Sequence, residues 1–145
     1  MTIEMSGASR KVIFQIDNLD KLTRRGIRQA FYQHGKLVQR RARQKIIRPP
    51  KNGRLYKVAG RKRRHRASAP GQAPANLTGA LQKSIGFNVS TSEMELGADT
   101  PYARALELGT DKMEARPYLW PSIEETEDDL IHFSEIAIKA EHNKL

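Results

Sequence analysis

Apolar residues recur along this chain with two periods, and the changes of period lay out the elements. Residues 11–17 hold Val12, Ile13, Phe14 and Ile16 and read as a short strand. Asp17 or Asn18 then stands where a short side-chain oxygen can cap a helix. From Leu19 the positions Leu22, Ile27, Ala30, Phe31, His34, Leu37 and Val38 fall on one side of a 3.6-residue helix. Lys21, Arg24, Arg25, Arg28, Lys36, Arg40 and Arg43 fall on the other. After Ala42 the stripe fades, because Arg41, Lys45 and Arg48 enter the sector that had been apolar. The first part of the helix is therefore expected to pack on a core and its last two turns to project. Pro49-Pro50 ends it, since proline has no N–H and disfavours helix before it.

Residues 51–76 change character. Residues 54–58 and 64–67 read as a short returning hairpin, turned at Ala59-Gly60-Arg61 and rich in Lys and Arg. Residues 68–75 have the Pro, Gly and small residues of an extended loop. Such an arm packs little apolar surface of its own and is a candidate for ordering on assembly. Asn76 can cap a short helix over 77–84. Ile85, Phe87 and Val89 then alternate, as do Met94 and Leu96, which predicts an antiparallel hairpin with one buried face. Thr100-Pro101 starts a further short helix that ends at Gly109, and 110–118 is a loop. Ser122 and Glu125 match a capping box for a last helix running to about Glu141. Its expected inner side is Ile123, Leu130, Ile131, Phe133, Ala137 and Ile138. The sum is one α+β domain over 1–145: a small antiparallel sheet packed by a long N-terminal and a C-terminal helix, with a basic arm.

Charge adds a second kind of order. Residues 21–92 carry 19 Lys/Arg and no Asp or Glu, whereas 93–145 carry 13 Asp/Glu and 5 Lys/Arg. A pole this one-sided repels itself in isolation and suits a polyanion or an acidic partner surface. A second copy of the chain qualifies, because its C-terminal third has the complementary sign. The candidate DNA- or partner-facing residues are Arg41, Lys45, Arg48, Lys51, Arg54, Lys57, Arg61, Lys62, Arg63, Arg64 and Arg66. Arginine here can donate to phosphates, but no base-reading motif accompanies it, so any DNA binding should be sequence-independent and salt-sensitive. No apolar run is long enough for a membrane span, no secretory signal is expected, and cysteine is absent.

Candidate chemistry is sparse. His34 lies on the apolar stripe and reads as a core residue rather than a ligand, and His65 sits among arginines. His132 and His142 are not at ligand spacing. The acids Glu124, Glu125, Glu127, Asp128 and Asp129 spread around more than one helix face and suit a helix start. No enzyme, cofactor or metal site is expected.

The most specific signal is an ordered set of short motifs. A first motif, Thr78-Gly79-Ala80-Leu81-Gln82-Lys83-Ser84-Ile85, is followed by a second, Pro101-Tyr102-Ala103 with Glu107-Leu108-Gly109-Thr110, and a third, Ala115-Arg116-Pro117-Tyr118-Leu119-Trp120-Pro121. In this order the chain resembles the lambdoid-phage tail-component family, whose members act as neck or tail-completion proteins. The resemblance covers residues 68–125 and departs at the longer, more basic 51–67. It implies a structural virion protein of the head–tail junction, assembled in the host cytoplasm as a homo-oligomeric ring around the DNA channel. It implies as partners other neck, head-closure or tail-terminator proteins, with packaged double-stranded DNA as a further contact. A stand-alone, sequence-independent nucleic-acid-binding protein is the alternative. Thr78, Gly79, Leu81, Pro101, Tyr102, Glu107, Gly109, Arg116, Pro117, Tyr118 and Trp120 are the candidate interface or fold-motif residues, with Glu107 and Arg116 expected to form an ion pair across the 109–116 loop.

Overall fold

The computed structural model describes residues 2–6, 9–13, 20–48, 50–90 and 93–144. Strands β1 (Thr2–Ser6) and β2 (Ser9–Ile13) precede the long helix α1 (Lys21–Ile47). The basic hairpin β3 (Leu55–Tyr56) and β4 (His65–Arg66) follows, then α2 (Ala80–Ser84), β5 (Ile85–Val89) and β6 (Met94–Ala98). Three helices close the chain: α3 (Ala103–Leu108), α4 (Trp120–Glu124) and α5 (Glu127–His142). The fold is α+β, with an antiparallel sheet in the order β1-β2-β6-β5 and a separate two-stranded β3-β4 ribbon.

The alternation in 85–98 folds as expected. Ile85 pairs with Ala98 and Val89 with Met94, so that Ile85, Met94, Leu96 and Ala98 are buried together. They share one core with Ile27, Phe31, Val38, Ala42 and Ile46 of α1. The register also corrects the first strand. β2 begins at Ser9 and pairs Val12 with Leu96, while positions 14–17 lie outside the described residues. β1 has too few apolar residues to signal a strand, and β2 supplies its partner.

Helix α1 is about 40 Å long at 1.5 Å per residue. Its cap is Asp20, whose Oδ1 accepts from the N–H groups of Leu22 (2.9 Å) and Thr23 (3.1 Å). The alternatives Asp17 and Asn18 lie outside the described residues. His34 is fully buried, as expected of the stripe. The last turns, however, do not project. Ala42 and Ile46 are buried. Arg43 donates to the carbonyls of Gln82 (3.1 Å) and Ile85 (2.9 Å), and Lys45 pairs with Glu125. Arg43 and Lys45 are thus held by acceptors from elsewhere in the chain, while Arg41 and Arg48 stay exposed.

The short helices differ from expectation at their starts. Helix α2 begins at Ala80, after Gly79 in the left-handed region (φ +81°), and Asn76 instead donates to Gln82 Oε1 at 3.3 Å. Pro101 and Tyr102 form a turn before α3. The last helix is two, α4 and α5. Ser122 lies inside α4 and donates to the Tyr118 carbonyl (2.6 Å), so it caps nothing. Ile131 points outward, 57% exposed, whereas Ala137 and Ile138 pack inward. Ile131 lies about 100° around α5 from the inward Leu130, at the edge of the stripe rather than within it.

Candidate partner and nucleic-acid interface

The basic surface is built by segment 50–79 folding back over the end of α1. Gly53 pairs by backbone with Ala67 (2.9 Å), and a Cβ there would lie 2.5 Å from the Ser68 carbonyl oxygen. The ribbon sets Tyr56 edge-on against His65, with ring centroids 5.5 Å apart. Arg61 donates to the Leu77 carbonyl (2.6 Å) and Arg66 to that of Gly53 (3.3 Å). Lys51 donates to the carbonyls of Lys45 and Ala73, 2.8 Å each. Its surroundings desolvate the ammonium and push its pKa below the ordinary lysine value. Lys51 is thus a strut between the helix end and the loop, and Lys45 is engaged by Glu125. Both leave the set of outward cations expected from sequence. Arg41, Arg48, Arg54, Lys57, Lys62, Arg63 and Arg64 remain exposed, as do the guanidinium-bearing Arg61 and Arg66.

Two clefts flank this surface. One, of about 420 Å³, brings Arg41, Lys45, Arg48 and Lys51 together with Pro117, Pro121 and Glu125. The other, of about 540 Å³, brings the ribbon residues Tyr56 and His65 against Thr78, Gly79, Leu81, Tyr102 and Arg116. The first and second sequence motifs therefore meet across one groove, with Tyr102 45% exposed at its wall. Pro101 is exposed beside it, while Leu81 and Tyr118 belong to the core and Trp120 is half-buried.

The second and third motifs are joined by a different device from the one expected. Glu107 does not pair with Arg116. It is buried, and its Oε2 accepts from the N–H groups of Tyr118 (2.9 Å) and Leu119 (3.1 Å), its Oε1 from Trp120 (2.7 Å). These are the free donors at the start of α4, so a carboxylate from another helix does the work of a cap. Arg116 instead holds the loop through carbonyls. Its N–H donates to Leu106 (2.6 Å) and its guanidinium to Ser68 (3.4 Å) and Glu114 (3.3 Å). Gly109 ends α3 at φ +78°, where a Cβ would meet the Met113 carbonyl oxygen at 2.8 Å. Burial and the nearby Glu107 charge hold the Tyr118 phenol neutral far above its usual range. Among the described residues no three His, Asp or Glu side chains converge on a possible metal site, and no helix is long and apolar enough to cross a membrane.

Sequence reasoning missed the capping role of Glu107. The only available signal was its spacing from the aromatic run, which an ion pair with Arg116 explained equally well. It also missed a further groove, of about 560 Å³, between α1 and β5, because Tyr32 and Phe87 are far apart in the chain. Comparison of the chain with family models, with curated proteins and with solved structures finds no match.

Proposed function

We propose that this chain is a structural protein of the head–tail junction of a long-tailed phage, assembling as a ring around the DNA channel and joining head to tail. The observation that carries the reading is the ordered run of motifs over 68–125, three of them in one order and spacing. The fold gives these residues structural work consistent with a shared scaffold: Glu107 ties the second motif to the third, and Gly79 and Gly109 set helix boundaries at positive φ. The exposed cations of 41–66 supply the surface toward DNA or an acidic neighbouring ring. No enzymatic step is part of this role. Electron microscopy of particles lacking the protein tests it. Full heads beside separate finished tails are expected, and normal virions would remove the proposal.

The exposed arginines of the ribbon favour one other reading, a stand-alone protein that binds duplex DNA without reading sequence. It requires tight binding by the isolated monomer at low salt, which the joining role does not.

A further inference from the structure

Among the described residues, nothing covers the Ile131 face of α5. Ile131 is 57% exposed, and the exposed acids Glu127, Asp128 and Glu135 stand one turn to either side of it, whereas Ile136 lies roughly 140° further around the helix. The inward face is used up. Ala137 and Ile138 pack against α1, where a Cβ on Gly26 would lie 2.8 Å from the Ile138 backbone. Exposed aliphatic residues on an acidic helix are a common form of contact surface: the apolar centre contributes burial and the charges set the orientation.

A surface of opposite character lies across the molecule. The groove between α1 and β5 has Tyr32, Phe87 and Val89 along it and Arg25 and Arg28 at its edge, with no carboxylate among the described residues that line it. Tyr32 is 49% exposed, its ring edge-on to Phe87 at 5.6 Å and under the Lys36 ammonium at 5.0 Å. On α1, Arg25, Arg28, Tyr32 and Lys36 lie roughly 80–160° around the helix from Gly26, which faces the chain's own α5. The chain's own α5 is thus packed on a different side of α1 from the groove.

From this complementarity we infer that the outward face of α5 docks into the α1–β5 groove of a second copy of the chain. Ile131 lies over Tyr32 and Phe87, and Glu127, Asp128 and Glu135 face Arg25, Arg28 and Lys36. DNA suits the groove less well, because only the cations at its edge can meet a phosphate and the floor of Tyr32 and Phe87 would stay uncovered. The two surfaces are different, so the contact is head-to-tail. Repeated, it generates a ring when the rotation closes and a filament when it does not. The inference deepens the ring reading proposed above by naming the interface.

The chain has no cysteine, so single engineered thiols report the contact directly. A Gln29→Cys chain is mixed with an Ile131→Cys chain under mild oxidation. A disulfide-linked heterodimer is expected, in large excess over dimers of either chain alone. Adding Arg25→Glu and Arg28→Glu to the first chain should cut the yield about tenfold or more, because like charges then face each other. Adding Glu127→Lys and Glu135→Lys to the second should restore it. The inference is overturned by cross-linking no better than that of Thr110→Cys with Ile131→Cys. It is overturned equally by indifference to the charge reversals, or by loss of DNA binding without loss of cross-linking when Arg25 and Arg28 are reversed. Cross-linking judges the contact between purified chains, whereas particle morphology judges the joining role. Rings that form without this cross-link would sink the contact and leave the role standing.

Discussion

Removing the carboxylate of Glu107 leaves three main-chain donors at the start of α4 without their acceptor. Glu107→Ala is expected to destabilise the fold by about 2–4 kcal/mol in urea unfolding, the cost of orphaned buried donors. Because Arg116 bonds carbonyls and not Glu107, a double-mutant cycle on the pair should give coupling below about 0.5 kcal/mol. His34 carries a separate signature. Its Nε2 lies 2.9 Å from the Thr126 carbonyl in the core, and burial lowers its pKa below 6.5 despite that bond and the Asp129 charge. The unfolded chain then binds the proton more readily than the folded one. Stability from this residue is complete above about pH 6.5 and is lost as pH falls through the lowered folded value. Thermal melts should show this acid-side slope, at most about 1.4 kcal/mol per pH unit, and His34→Gln should flatten it. The Asp20 cap, with its pKa lowered chiefly by the Thr23 hydroxyl, titrates below 3.8 and so leaves that window clear.

Between elements, backbone approach sets what side chains can be. Gly26 sits where α1 crosses α5, and Gly26→Ala should force the helices apart at a cost of about 1–3 kcal/mol, measurable as a lowered urea midpoint. Periodicity exposed the long helix, the 85–98 hairpin and the Gly109 stop, because each depends on burial of one face or on one backbone angle. Helix starts were less legible. Asp20, Gly79 and Thr126 precede α1, α2 and α5, yet Asp17, Asn76 and Ser122 carry equally good capping chemistry. Which oxygen finds a donor depends on where the chain turns, and that is decided by packing outside the local window. The α4–α5 break likewise leaves no period to read.

At the scale of the whole molecule, the separation of charge survives folding but is thinner than the residue count suggests. Lys45, Lys51 and Arg43 are engaged by carbonyls or Glu125, so the outward cations concentrate on the ribbon and the far face of α1. If the ribbon meets duplex DNA, replacing Lys62, Arg63 and Arg64 with Ala should flatten the log affinity–log salt plot by about 0.9 for each phosphate no longer neutralised. Fluorescence anisotropy across a salt series measures this, and an unchanged slope assigns the ribbon to a protein neighbour. Composition revealed the sign of the surface. It did not reveal which cations are free, since a lysine used as a strut and one facing solvent look alike in the chain.

The sheet order also sets a timetable. β2 pairs with β6, and α1 closes on α5, more than a hundred residues further along the chain. A ribosome adding about 5–20 residues per second delivers α5 roughly 5–20 s after α1 emerges. Throughout that interval the apolar stripe of α1 has no α5 to cover it, and the acids of α5 that offset its charge do not yet exist. Folding must therefore wait until α5 has been made, when the acidic and basic halves first meet.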